Sequence, residues 1–207
     1  MKSDLIGLIN YGVGNLGSIQ RMIEKAGGQS VFMSDPSVLT HVKKIILPGV
    51  GHYSEGVRGL ISSGFWGPLF EFANRESNLI LGICLGMQLL CKHSEEGDVE
   101  GLGLVDATVK KFNFHSKPSL KVPHMGWNTL RTTGESPLLP MDEEERRFYF
   151  VHSYKVVPNN PDISIGQCDY GGEFCAAFQQ GNVFGVQFHP EKSHRFGMAL
   201  MKRFVEL

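Results

Sequence analysis

Leu79-Ile80-Leu81-Gly82-Ile83-Cys84-Leu85-Gly86 is a near-continuous apolar run that closes on G-x-C-x-G. Such a run reads as a strand covered on both faces, as in a parallel sheet, and its glycines let the chain turn sharply out of it. A helix starting at Leu85 places Cys84 at a helix N-terminus, where unpaired amides and the dipole favour a thiolate. This is the thiol counterpart of the G-x-S-x-G nucleophile elbow. The Leu85 amide then faces an oxyanion on the attacked carbon. A buried structural cysteine also accounts for Cys84, so the motif alone leaves both readings open.

Working outward, residues 5–9, 30–33 and 44–47 are similar apolar runs. Between them, residues 16–26 set Leu16, Ile19, Ile23 and Ala26 on one helical face, stopped by Gly27-Gly28. Residues 55–63, 68–74 and 85–92 also read as helices. This alternation predicts an α/β fold, a doubly wound, mostly parallel sheet with flanking helices. Downstream, residues 104–112, 147–157, 163–167, 176–180 and 183–187 are short and β-rich, which predicts a β-rich C-terminal extension of mixed or antiparallel strands. A helix over 195–205 closes the chain. The acidic, proline-bearing stretch 132–146 reads as a surface loop, and with no repeats or low-complexity tract the chain 1–207 reads as one domain.

Twenty lysines and arginines balance 21 aspartates and glutamates in 207 residues, so no polybasic surface marks a nucleic-acid or anionic-membrane partner. The apolar run Leu5–Ile9 is too short for a signal-peptide core, and residues 79–91, broken by Gln88, fall short of the ~20 residues a membrane span needs. Cys84, Cys91, Cys168 and Cys175 form no C-x-x-C pair, which together predicts reduced thiols and a cytoplasmic protein.

A nucleophilic cysteine needs a base. Val183-Phe184-Gly185-Val186-Gln187-Phe188-His189-Pro190-Glu191 delivers His189 at the end of an apolar strand, with Glu191 two residues on. Residues i and i+2 of extended chain share a side, and Pro190 keeps His189 extended. A Cys84–His189–Glu191 triad fits this spacing; a strand-end histidine beside a surface carboxylate fits it too. Pro48-Gly49-Val50-Gly51 follows an apolar strand and offers either a second oxyanion amide or an ordinary glycine turn. Gly12-Val13-Gly14-Asn15-Leu16-Gly17 matches G-x-G-x-x-G with Asp35 downstream, the signature of a rival dinucleotide-binding module. That rival gives Cys84, His189 and Glu191 no work. His41, His52, His93, His115, His124, His152, His189 and His194 lack metal-ligand spacing, so neither a metal nor a cofactor is expected, and most of them read as surface or locally hydrogen-bonded residues. Residues 123–128 read as a loop whose Met125 and Trp127 either form a small cluster or meet a partner.

Gly82-Ile83-Cys84-Leu85-Gly86-Met87-Gln88 with Phe188-His189-Pro190-Glu191 resembles the class I (triad-type) glutamine amidotransferases, whose fold is flavodoxin-like. Asn10-Tyr11-Gly12-x-Gly14-Asn15, Pro48-Gly49-Val50-Gly51, Ser94-Glu95-Glu96-Gly97, Pro123-His124-Met125-Gly126-Trp127-Asn128 and Val151-His152-Ser153-Tyr154 are similar to motifs of the glutaminase subunits of imidazole glycerol phosphate synthase. The resemblance implies that Cys84 attacks glutamine, that His189 and Glu191 complete the triad, and that Val50 and Leu85 supply the oxyanion amides. It implies that Gly51, Gln88, Glu96, Ser153 and Tyr154 hold the L-glutamine substrate. It further implies an ammonia channel into a (β/α)8-barrel cyclase subunit of a heterodimer, met by Asn10, Tyr11, Asn15, Met125, Trp127, Tyr149 and Lys192, with glutaminase activity low until that partner binds its nucleotide. Departures from the family pattern at Asn10, Ser153 and His194 bear on the ammonia acceptor. A paralogous branch, which serves surface-polysaccharide gene sets through a sister barrel subunit, is the alternative.

Overall fold

The computed structural model describes residues 5–114, 119–142 and 144–207. Its first four strands, β1 (Leu5–Ile9), β2 (Gln29–Met33), β3 (Lys44–Leu47) and β4 (Leu79–Ile83), pair in parallel in the order 2-1-3-4. Alternate residues of a strand face opposite ways, and both faces of β1, β3 and β4 meet apolar partners, while the edge strand β2 leaves Val31 and Phe32 exposed. Ile46 joins Ile19 and Ile23 of α1 (Leu16–Lys25) and Leu200 and Phe204 of α5 (His194–Glu206). Its neighbours Ile45 and Leu47 join Val57 and Leu60 of α2 (Tyr53–Ser62) and Leu69 and Phe72 of α3 (Trp66–Ala73). Each large apolar side chain so buried contributes about 1.5–3 kcal/mol, which explains why these strands read as continuous apolar runs.

Beyond β4 the sheet continues through β13 (Val183–Val186), still parallel, then turns antiparallel at β12 (Glu173–Gln180), β10 (Tyr154–Pro158) and β7 (Val105–Lys111). It ends at β5 (Cys91–Ser94) and β6 (Val99–Glu100). β11 (Ser164–Asp169) branches off β12 to pair with β8 (His124–Thr132), which in turn pairs with β9 (Arg146–His152). The mixed α/β architecture is the one expected. Among the described residues, no helix is long and apolar enough to cross a membrane.

Four local expectations are corrected. The helix foreseen over 85–92 stops early: α4 is Leu85–Leu89, and Cys91–Ser94 is a strand paired in parallel with β7. Residues 123–128 are not a loop, because His124 opens the nine-residue β8. Its alternating burial shows a strand with one open face, where the glycine-marked composition had argued only against a core strand. Residues 147–157 are two strands, which part at Ser153 because β9 follows β8 while β10 joins β7. The loop 132–146 is not all surface: Leu138 and Leu139 are fully buried beside Leu130 and Phe148.

Candidate active site

The loops after β1 and β3, Cys84 after β4 and residues 187–189 after β13 all lie at the carboxyl ends of parallel strands, where open α/β sheets bind ligands. Register brings them together. Leu47 pairs with Gly82 and Ile83 with Val186, so the segments that follow lie side by side. The Cys84 N–H donates to the Val186 carbonyl at 2.8 Å. Cys84 itself adopts φ 53° and ψ −109°, a left-handed turn that costs a non-glycine residue about 1–3 kcal/mol. The flanking glycines are required by contact: a Cβ on Gly86 would strike the Leu47 carbonyl oxygen, and one on Gly82 would sit 2.7 Å from Met87 N.

His189 Nδ1 lies 2.8 Å from Glu191 Oε1, with the two side chains 2% and 4% exposed. The backbone is pinned around them, since His189 N–H donates to Tyr149 O at 2.9 Å and Ser193 Oγ donates to His189 O at 2.6 Å. Nε2 makes no conventional hydrogen bond and lines the same cleft as Cys84. Burial works against a charged imidazole, but interaction with Cys84 and the Glu191 carboxylate outweighs it and holds the His189 pKa above the ordinary histidine value. The arrangement suits a thiolate–imidazolium pair with a carboxylate behind it.

The cleft has a volume of about 280 Å³ and is lined by Val50, Gly51, Leu85, Gln88, Glu96, Ser153 and Tyr154 as well as Cys84 and His189. Glu96 already accepts the Tyr53 N–H at 2.8 Å through Oε2. Gln88 donates from Nε2 both to Tyr154 O (3.2 Å) and to Gln187 Oε1 (2.9 Å), so only its oxygen is free to meet a ligand. The two amides expected to form an oxyanion hole, those of Val50 and Leu85, do not converge in this conformation. Leu85 N–H is directed at the Gly49 carbonyl at 3.4 Å, and the Val50 N–H belongs to the same peptide unit as that carbonyl, pointing the other way.

The family profile "Glutamine amidotransferase class-I" matches residues 8–207. "Imidazole glycerol phosphate synthase subunit HisH 2" of Pseudomonas aeruginosa is 44% identical, covering 98% of this chain and 100% of that protein. Subunit HisH of Geobacter sulfurreducens is 41% identical, with 98% of each chain covered. The chain belongs to the HisH family of class-I glutamine amidotransferases. Solved structures agree on the fold: "Structure of PurLQS from Thermotoga maritima" matches this amidotransferase with TM-score 0.77 at 19% identity, over 99% of this chain and 98% of the other. A glutamine amidotransferase from Thermotoga maritima gives TM-score 0.66 at 18% identity, over 98% of this chain and 80% of the other.

Other residues of the amidotransferase fall into two groups. Met125 and Trp127 are 61% and 42% exposed on the open face of β8. Trp127 stacks on His194 at 5.4 Å and meets Tyr149 edge-on, while Lys192 lies over the Tyr149 ring. Asn15 is exposed and caps α1, accepting the Ser18 N–H; the half-buried Asn10 donates to Ser34 Oγ. Tyr11 departs from its expected place on a partner surface. It is 4% exposed, and its hydroxyl donates to the Pro48 carbonyl at 2.5 Å, beneath the Gly49–Gly51 loop. Asp35, the acid of the dinucleotide reading, spends its carboxylate capping the turn Pro36–His41 through the Ser37 N–H.

Three functional neighbours escaped the sequence reading. His124 and His152, read with most other histidines as surface or locally hydrogen-bonded residues, are hydrogen-bonded but buried, joined Nδ1 to Nε2 at 3.0 Å. Burial pushes their pKa values down to about 4 and about 3, so both are neutral. His115 lies outside the described residues. Gln187, fully buried, donates to Cys84 Sγ; its only signal was an amide inside an otherwise apolar strand end.

Proposed function

We propose that the chain, acting as one domain over residues 1–207, hydrolyses L-glutamine and delivers the ammonia to a partner subunit. It is a glutamine amidotransferase, the glutaminase subunit of imidazole glycerol phosphate synthase in histidine biosynthesis. The observation that carries the residue assignments is the convergence of Cys84 and the His189–Glu191 pair on one cleft. His189 Nε2 takes the thiol proton, and Cys84 Sγ attacks the side-chain carbonyl carbon of glutamine. The tetrahedral oxyanion collapses as the imidazolium returns that proton to the leaving nitrogen, giving ammonia and a glutamyl thioester. Water, deprotonated by His189, then releases glutamate and the thiol. Glu191 orients the imidazole throughout. Glu96 suits the substrate ammonium, with Gly51, Gln88, Ser153 and Tyr154 around the rest of the molecule and Val50 and Leu85 as oxyanion donors.

The partner is a (β/α)8-barrel cyclase, docked on the aromatic and cationic patch of Met125, Trp127, Tyr149 and Lys192 together with Asn10 and Asn15, and the pair works in the cytoplasm. Exposed tryptophan and methionine are residue types that interface centres favour, and Lys192 over the Tyr149 ring suits a polar rim. The relatives reported above are named for imidazole glycerol phosphate synthase, so the polysaccharide-linked alternative finds no support in them. Glutamine hydrolysis by the chain alone, and with the histidine-pathway cyclase and its ribonucleotide ligand, tests the reading. Strong stimulation that C84A abolishes is expected; no complex and no stimulation would overturn the assigned partner.

A further inference from the structure

Gln187 follows β13 directly, its backbone N–H held by the Ala176 carbonyl at 2.8 Å and its side chain fully buried. The surrounding positions Val183, Phe184, Gly185, Val186 and Phe188 are all apolar or glycine, and burying an amide there is unfavourable unless its hydrogen bonds are met. They are met in one orientation only. The Tyr154 carbonyl can only accept, so Gln88 must present its nitrogen there, at 3.2 Å. The second hydrogen of that nitrogen goes to Gln187 Oε1 at 2.9 Å. With its oxygen facing Gln88, Gln187 turns Nε2 to Cys84 Sγ, 3.8 Å away. Reversing the amide would set nitrogen against nitrogen. A donor is thus aimed at the reacting sulfur by a chain of partners that begins in the glutamine-binding strand.

We infer that Gln187 is a further catalytic residue of the glutaminase reaction, donating its side-chain N–H to Cys84 Sγ and stabilising the thiolate. The inference rests on the reading of Cys84 as the nucleophile. When the S–H bond breaks, the proton goes to His189 Nε2 and the electron pair stays on sulfur, where the Gln187 N–H meets it. A thiolate is a far better acceptor than a thiol, so a contact that is long in the resting site strengthens as charge develops. The Val151 carbonyl, 4.0 Å from Sγ, accepts from the thiol and can do nothing for the anion. The other groups that face Cys84 are His189 with Glu191 behind it, the neutral His152 of β9 and the neutral phenol of Tyr11. None of these except His189 can donate to sulfur while carrying charge.

The test is the pH dependence of Cys84 alkylation by iodoacetamide, followed by peptide mass spectrometry on the whole chain. Methionine matches glutamine in length and lacks the donor. In Q187M the alkylation midpoint should rise by about one pH unit, a roughly tenfold change in the thiol–thiolate equilibrium. In the partner complex, kcat should fall about tenfold with KM nearly unchanged. An unshifted alkylation profile in a folded Q187M overturns the inference. Should Q187M fail to fold, the native chain answers by NMR: the Gln187 side-chain amide signals should titrate with the Cys84 midpoint and stop titrating in C84S, and their indifference to pH would overturn it equally. Alkylation reads the sulfur without turnover. A Q187M shift, with no glutamine hydrolysis by the native chain in its partner complex, therefore supports the Gln187–Cys84 contact and overturns the glutaminase reading.

Discussion

Replacing Glu191 by glutamine isolates the charge of the carboxylate from its shape. Glu191 Oε1 sits 2.8 Å from His189 Nδ1, and Oε2 has no hydrogen-bond partner. In E191Q the amide oxygen can turn to Nδ1 and keep the hydrogen bond, leaving the NH₂ in the unpartnered position. The negative charge is what disappears. Two unit charges about 4 Å apart interact by about 4 kcal/mol at an effective dielectric constant of 20, the value suited to sites of this kind. At 1.36 kcal/mol per decade this is about a thousandfold, which is the expected loss in glutamine turnover at neutral pH. The unpaired amide nitrogen adds to the cost without changing the sign. The same loss lowers the His189 pKa, so less of Cys84 is paired with imidazolium, and iodoacetamide should react with Cys84 more slowly at neutral pH.

Stability follows with a definite sign. A histidine whose folded pKa is raised contributes stability that is fully present below its unfolded pKa of about 6.5 and is lost as pH rises through the folded pKa. His189 is such a group. The difference in stability between native and E191Q chains should therefore be largest below about pH 6.5 and shrink at alkaline pH, measured by urea unfolding across the range. Turnover within about tenfold of native, with an unchanged alkylation profile, would refute the argument that the carboxylate acts by charge.

Three further outcomes are expected. L139A removes a fully buried side chain from the stretch that the sequence had presented as a surface loop and should cost about 2–5 kcal/mol by denaturant unfolding, where a true loop residue would cost almost nothing. Y11F leaves the Pro48 carbonyl without its donor and should cost about 1–3 kcal/mol with no change in partner affinity by titration calorimetry, because the side chain is buried and not on the docking face. His124 and His152 have folded pKa values below the unfolded value, so the unfolded chain binds more protons and stability should decline as pH falls from about 6.5 toward about 4; H124Q should flatten that slope in thermal melts.

The centre of the parallel half was legible because β1, β3, β4 and β13 are buried on both faces, and continuous apolarity is a signal that needs no knowledge of neighbours; β2, at the edge with Val31 and Phe32 exposed, showed the same signal without the burial. β3 buries every residue, and its four-residue run was read to the residue. β8 was not legible, because an open-faced strand carries its pattern in which residues are hidden, and His124, buried at 2% exposure, looks polar on paper. Leu138 and Leu139 were missed for the converse reason: two leucines between prolines have no periodicity to declare their burial. Within the site, Cys84, His189 and Glu191 stood out because strand ends and short spacings are local properties. Gln187 and the His124–His152 pair acquire meaning only through residues 28 to 103 positions away, which the chain order does not display.

The site divides into a part that is already assembled and a part that is not. The His189–Glu191 pair is seated, and Cys84 stands on its strained turn. The amides of Val50 and Leu85, proposed as oxyanion donors, are not in place for that role, because the Gly49 carbonyl occupies the direction in which the Leu85 N–H points. That carbonyl and the Val50 N–H belong to one planar peptide and point oppositely, so a single rotation of the unit removes the blocking oxygen and presents the second donor. The unit turns about ψ of Gly49 and φ of Val50, and Gly49, with no side chain, offers that rotation its freest hinge. Beneath them, the hydroxyl of Tyr11 anchors Pro48, which confines the motion to the unit above. A missing oxyanion donor costs about 10²–10³ in rate, so on the proposed assignment of Val50 and Leu85 this conformation should turn over glutamine more slowly, by that factor, than one with the unit rotated.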